Sequence, residues 1–175
     1  SLTFEDVERV LNLEEGQSLS LRKGILLKRE RGRVFWRKSP QKKVSYAYLW
    51  DGAERLVIPE AGCAVEALRI KHDPKRLDFD DHARALMDAA KVRFPLCVRS
   101  RQEGDRYRPL GAPGRKKVKE IMRARGIAPG EREKKPVFVS GEDIVWIQGL
   151  PVAENVKVDE TTREVLVVSV SPLKP

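Results

Sequence analysis

Residues 94–139 read FPLCVRSRQEGDRYRPLGAPGRKKVKEIMRARGIAPGEREKKPVFV. The segment opens on an apolar run, passes through a loop crowded with arginine and glycine, and closes on a second apolar run after Pro136. Phe94–Arg101 ends in alternating arginines and is predicted to be a strand. Gly111, Pro113 and Gly114 shape a bend, and a helix is predicted over Arg115–Arg125. On a helical wheel Val118, Ile121 and Met122 share one face. Arg115, Lys119 and Arg123 follow at i, i+4 on a largely opposite face, with Lys116 beside them. Such a helix docks by its apolar stripe and shows a basic ridge to solvent.

The charge around this segment is uneven. The 175 residues carry 35 basic and 26 acidic side chains, a net of +9. Residues 94–135 hold thirteen basic and five acidic residues, and residues 22–43 hold ten basic residues against the single Glu30. The remainder is acidic. Lys and Arg runs often only solvate a surface, but two concentrated basic segments on an otherwise acidic chain point to a polyanion. The candidate phosphate-binding residues are Arg99, Arg101, Arg106, Arg108, Arg115, Lys116, Lys117, Lys119, Arg123 and Arg132. Guanidinium forks hold phosphate oxygens bidentately, and free amides at a helix start attract the same groups. Gly104, Asp105, Gly111 and Gly114 are the candidate turn formers, with Asp105 bracing an arginine or the turn. Tyr107 either stacks on a base or anchors the core.

Outside this segment, Thr3–Leu13 is predicted to be a helix capped by Thr3. Asp6 lies in its first turn, and Phe4, Val7, Val10 and Leu11 recur at helical spacing. One short helix has nothing of its own to pack on, and the chain opens on Ser-Leu-Thr. The expectation is a fragment whose residues 1–15 close a preceding domain. Residues 25–38, ILLKRERGRVFWRK, read as a hairpin turning at Arg31-Gly32, followed by strands at Arg55–Ile58 and Cys63–Lys71. Residues 77–91, LDFDDHARALMDAAK, predict a helix or helical turn near Asp80–Lys91 capped by Asp80 or Asp81. Capping accounts for Asp78, Asp80, Asp81 and His82 without a metal ion. A second hairpin joins Val137–Val139 to Ile144–Ile147, and Val165–Ser171 suits a buried strand. The expected division is 1–15, a strand-rich connecting region 16–91, and a domain 92–175, with 16–175 able to pack as one unit.

The apolar runs fall short of the roughly 18 residues of a membrane span, and no secretory signal is evident. A cytoplasmic chain with Cys63 and Cys97 as reduced, buried thiols is expected. His72 and His82 are the only imidazoles, too few and too scattered for zinc. Residues 111–118 lack the Walker spacing, and Val118 supplies no hydroxyl for magnesium. Ser140-Gly141-Glu142-Asp143 lacks the second glycine and closing serine of a pyrophosphatase loop and reads as a turn. No catalytic residue, metal or cofactor is therefore expected in this chain.

The same residues resemble the C-terminal domain of the tRNA(Ile)-lysidine synthetases. Pro95, Leu96, Val98 and Arg99 match the family's strand, and Gly104, Asp105, Arg106 and Tyr107 match its Gly-Asp-Arg-aromatic turn. Pro109 and Gly111, the lysine-rich helix start, Arg132 with Pro136, and Trp146 with Gly149 follow in the family's order. After Gly149 this chain has Leu150-Pro151 where many relatives carry a basic residue. The resemblance implies an α+β, strand-rich fold with sandwiched sheets and a few short helices, akin to part of the phenylalanyl-tRNA synthetase β chain. It implies a module that binds the tRNA body, notably the acceptor stem. The parent ligase would use ATP and magnesium in an N-terminal pyrophosphatase domain to join lysine to the wobble cytidine. The expected partners are tRNA and that N-terminal catalytic domain. The competing expectation is a docking or scaffolding domain whose basic ridge meets an acidic protein surface.

Overall fold

The computed structural model describes residues 4–21, 25–38, 45–73 and 84–173. They fall into two units, Ser1–Lys43 and Val44–Pro175.

The first unit holds helix α1 (Phe4–Leu11) and an antiparallel sheet of β1 (Ser18–Leu21), β2 (Ile25–Glu30) and β3 (Arg33–Lys38), in the order β1-β2-β3. Arg31 and Gly32 both take positive φ, 53° and 71°, the pair of left-handed residues that closes a two-residue hairpin with the right twist. The Glu15 carboxylate accepts from the Arg31 and Gly32 amides and fixes that turn. A small core gathers Leu13, Leu21 and Leu27, with Val10, Leu19 and Ile25 against it. Of the apolar positions predicted on α1, only Val10 joins this core; Phe4, Val7 and Leu11 are exposed. Asp6 is buried. The Thr3 cap lies outside the described residues.

The second unit runs β4 (Ala47–Trp50), β5 (Leu56–Ile58), β6 (Cys63–Lys71), β7 (Arg84–Asp88), β8 (Leu96–Arg99), β9 (Arg106–Tyr107) and β10 (Lys116–Lys117). Then come α2 (Val118–Ala124), α3 (Pro129–Arg132), β11 (Val137–Ser140), β12 (Asp143–Ile147), a 3-10 turn at Glu154–Val156 and β13 (Glu164–Pro172). Two four-stranded antiparallel sheets form, β12-β11-β8-β4 and β5-β6-β13-β7, with β9 and β10 as a separate ribbon. One core joins them. It takes Trp50, Leu96, Val98, Phe138 and Trp146 from the first sheet and Ile58, Val65, Met87, Leu166 and Val168 from the second. Phe138 and Trp146 stack with ring centroids 4.9 Å apart. The expected strand-rich α+β fold of sandwiched sheets is what forms.

Three local expectations need correction. The stretch expected to be helical up to Lys91 contains β7, which pairs with β13 over Val165–Ser169. Ala85 and Met87 are buried while Arg84 is exposed. Ala, Leu and Met favour helix in isolation, but a sheet edge with an apolar inner face outweighs that preference. The Asp80 and Asp81 caps and the Asp78–His82 group lie outside the described residues. Strand β4 went unforeseen; it pairs with β8 from Ala47 to Trp50. The chain divides at 43/44 rather than near 15 and 91, because β4 to β6 are strands of the two sheets that also hold β8 and β13. Cys63 and Cys97 are free thiols, Cys63 buried and Cys97 half-buried. Among the described residues no helix is long and apolar enough to cross a membrane.

Two features set measurable limits on this fold. Gly52 has φ +80°, and a Cβ there would lie 2.6 Å from Cε1 of Phe94. Gly52→Ala should destabilise the second unit by about 1–3 kcal/mol in urea unfolding, from left-handed strain and overpacking together. Asp88 is buried and accepts from the Ala90 amide at 3.0 Å and the Thr162 hydroxyl at 2.9 Å. Burial opposes its charge, but those donors and the Lys91 ammonium hold the carboxyl below its ordinary 3.8. A depressed folded pKa gives stability that is present above the unfolded value and lost as pH falls through the folded one. Asp88→Asn should therefore melt lower than the parent at neutral pH, and the two melting temperatures should converge below about pH 4.

Candidate nucleic-acid interface

The basic segment begins where β8 leaves its sheet. Leu96 and Val98 point into the core, so the alternate residue Arg99 faces out, flanked by Val137 and Ala47 on the neighbouring strands. Its guanidinium donates to both oxygens of Asp105, Nη1 at 2.9 Å and Nη2 at 2.8 Å. Asp105 also accepts from the Gln102 amide at 2.8 Å. Two residues on, Arg101 donates from Nη2 to Glu133 at 2.7 Å. Both guanidinium groups are mostly covered, with side-chain exposures of 13% and 15%. Expected as phosphate ligands, Arg99 and Arg101 instead hold the loop to the sheet and to the segment after α3. Asp105 does brace an arginine, and Gly104 takes φ 90° in that turn.

From Asp105 the chain enters the β9–β10 ribbon. The Asp105 carbonyl accepts from the Val118 amide at 2.9 Å, which ties the turn to the first residue of α2. Tyr107 pairs with Lys116 and Arg106 with Lys117. Tyr107 is 2% exposed and donates its hydroxyl to the Pro151 carbonyl at 3.0 Å. Burial pushes its pKa far above the ordinary value, against the smaller opposing effect of the Arg125 charge. This tyrosine anchors the core and cannot stack on a base. Gly111, at φ 74°, donates its amide to Glu154 at 2.8 Å. The Lys157 ammonium and that amide hold Glu154 below the usual carboxylate range. Gly114 takes no positive φ among the described glycines, so the bend does not demand glycine at that position.

Helix α2 is shorter than the predicted one. Arg115 to Lys117 precede it, with Lys116 and Lys117 in strand β10, because the ribbon pairing claims these backbone groups. The apolar stripe is as expected: Val118 and Met122 are fully buried and Ile121 is packed against the core. That docking leaves Lys119 and Arg123 exposed one turn apart. Arg106, Lys116, Lys119 and Arg123 are exposed, with no carboxylate in ion-pair range among the described residues. Lys117 lies 4.0 Å from Glu120, and Arg115 lies 3.8 Å from Asp143, at the limit of an ion pair. Arg108 is exposed and donates from Nε to the Ala112 carbonyl at 2.8 Å, which leaves its two terminal nitrogens available. Arg132 donates from Nε to the Ile127 carbonyl at 2.6 Å and is half-buried. A hollow of about 310 Å³ lies beside the ribbon, lined in part by Arg108, Arg115, Asp143 and Glu154. Sequence reading passed over Arg125, which is exposed at the end of α2 and reaches toward the Gly149 carbonyl at 3.5 Å. Its place in the same basic run was the available signal.

Among the described residues no group of three or more His, Cys, Asp or Glu side chains could hold a metal ion. The site consists of cations on a ribbon and a helix, anchored by two internal ion pairs.

Residues 96–169 match the family model of the TilS substrate C-terminal domain. The chain carries a TilS substrate C-terminal domain. Its relatives include the tRNA(Ile)-lysidine synthase of Caldanaerobacter subterraneus subsp. tengcongensis, 41% identical over 46% of this chain and 17% of that protein. The tRNA(Ile)-lysidine synthase of Symbiobacterium thermophilum is 31% identical over 94% of this chain and 36% of its own length. The chain thus spans well under half of each of these relatives. The crystal structure of a TilS C-terminal domain superposes with a TM-score of 0.65 at 25% identity, over 75% of this chain and 99% of that one. An N-terminal fragment of the Pyrococcus horikoshii phenylalanyl-tRNA synthetase β-subunit shares the fold, with a TM-score of 0.50 at 16% identity, over 63% of this chain and 39% of that one.

The internal pairs give the TilS-type domain a testable support. Removing the carboxylate of Asp105 strands a mostly buried guanidinium and frees the turn before α2. Asp105→Ala should cost about 2–4 kcal/mol in chemical unfolding, near the range for breaking one side of a buried pair.

Proposed function

We propose that this chain is the tRNA-gripping part of a tRNA(Ile)-lysidine synthase, holding the tRNA body by its phosphates. The observation that carries the reading is the set of exposed cations at Arg106, Lys116, Lys119 and Arg123, without a carboxylate in ion-pair range among the described residues, on a domain of the TilS C-terminal family. Arg108, Arg115, Lys117 and Arg125 are further exposed cations near it, partly engaged by neighbouring groups. With Tyr107 buried, the ribbon offers charge and no stacking platform. Such a surface suits the backbone of a duplex region, the acceptor stem above all, rather than unpaired bases. Arg99, Arg101 and Arg132 act as positioning residues.

On this reading ATP, magnesium and the joining of lysine to the wobble cytidine belong to an N-terminal catalytic domain. That domain is the second expected partner. The contribution of this chain is affinity and orientation. A basic grip on a remote part of the substrate supplies binding energy that holds the reacting nucleotide in place for a separate active site.

The test is binding of labelled tRNA(Ile) by fluorescence anisotropy across a salt series. Each phosphate contact contributes about −0.9 to the log–log salt slope on a duplex. Reversing two of them with Lys116→Glu and Lys119→Glu should lower affinity at least tenfold, by about 1.4 kcal/mol or more, and flatten the slope by roughly two contacts. A double variant with the parent's affinity and slope sinks the proposal. Unchanged tRNA binding together with lost binding to the N-terminal catalytic domain would transfer the ridge to protein docking.

A further inference from the structure

We propose that the β2–β3 hairpin of the first unit is a separate contact for unpaired nucleotides, which stack on the exposed rings of Trp36 and Phe35. Among the described residues the aromatic side chains of the second unit are buried or half-buried. Every exposed one, Phe4, Phe35 and Trp36, lies in the first unit. Trp36 is 71% exposed and Phe35 53% exposed, on β3, an edge strand of its sheet. Their registers differ: Trp36 pairs with Leu27 and Phe35 with Lys28. Neighbouring strand residues face opposite ways, so the two rings project from the two sides of one ribbon.

Charge decides the occupant. Residues 22–43 carry ten basic residues and one acidic residue. At the tip of the hairpin the side chains of Arg31 and Arg33 are exposed and face no carboxylate in ion-pair range among the described residues. Arg29 is used structurally, donating to the Leu13 carbonyl at 2.9 Å, and Lys28 pairs with Glu30. Basic residues on an edge strand also discourage sheet-to-sheet pairing. That role explains the arginines but leaves unexplained why an indole and a phenyl ring stand in solvent beside them. A single-stranded polyanion accounts for both, because each nucleotide brings one phosphate for a cation and one base face for a ring. The inference stands apart from the ridge of the second unit, which meets backbone only.

The experiment uses the whole chain with two probes, a short oligouridylate free of secondary structure and a blunt RNA duplex of the same length. Trp50 and Trp146 are buried, at 4% and 0% exposure, so acrylamide quenching reads Trp36. Saturating oligouridylate should shield that indole in the parent chain, a measurement that needs no variant. Trp36→Ala and Phe35→Ala should each weaken oligouridylate binding about tenfold while duplex binding stays within about twofold. Trp36→Phe should recover most of the loss. Lys116→Glu with Lys119→Glu should show the reverse pattern, so failure at the hairpin and failure at the ridge are distinguishable. The proposal is overturned if the indole stays open to acrylamide at saturating oligouridylate, or if Trp36→Ala binds that probe like the parent. It is equally overturned if Trp36 is already shielded without RNA by self-association seen in sedimentation.

Discussion

The basic surface of the second unit depends on one ion pair. Arg99 leaves β8 facing away from the core and meets Asp105 through two parallel hydrogen bonds. Asp105 then fixes two backbone amides, that of Gln102 through its side chain and that of Val118 through its carbonyl. A guanidinium–carboxylate fork tolerates little angular error, so it transmits the rigidity of the sheet to the loop and the helix beyond it. Replacing such a pair with apolar residues often costs nothing in stability, whereas removing one partner costs a great deal. Its value here is geometric, because it orders the start of α2.

That arrangement divides the arginines and lysines into two groups. Arg99, Arg101 and Arg132 are held by Asp105, Glu133 and the Ile127 carbonyl. Arg106, Lys116, Lys119 and Arg123 are exposed without a carboxylate in range among the described residues. The first group orders the loop and the helix that carry the second. Counting basic residues in the sequence overstates the exposed positive surface, because guanidinium groups serve equally as internal braces. The first unit shows the same division, with Arg29 bound to the Leu13 carbonyl and Arg31 and Arg33 exposed.

Patterns that depend on near neighbours in the sequence were legible. The Arg31-Gly32 turn follows from a glycine set between two strand-like runs, with Arg31 drawn into the left-handed region beside it at φ 53°. Cys63–Lys71 extends as β6 over the predicted residues. The stripe of Val118, Ile121 and Met122 packs as its spacing requires. Patterns that depend on a distant partner were not. Residues 84–88 become β7 because β13 supplies the edge they pair with, eighty residues downstream at Val165–Ser169. Lys116 and Lys117 are drawn out of the helix by Arg106 and Tyr107. The unit boundary moves to 43/44 because β4 and β6 find their partners in β8 and β13.

The sequence by itself determined the family, the strand-rich class, the placement of positive charge along the chain and the turn at Gly104-Asp105. These rest on residue identity and short spacing, which no fold can alter. Only the tertiary structure decided which cations are free. Whether a guanidinium reaches solvent or a carboxylate depends on where Asp105 and Glu133 come to lie, and that is set by the packing of the sheets. It likewise decided that Tyr107 is an anchor, since its burial comes from the core it joins, and that Trp36 and Phe35 stand open to solvent.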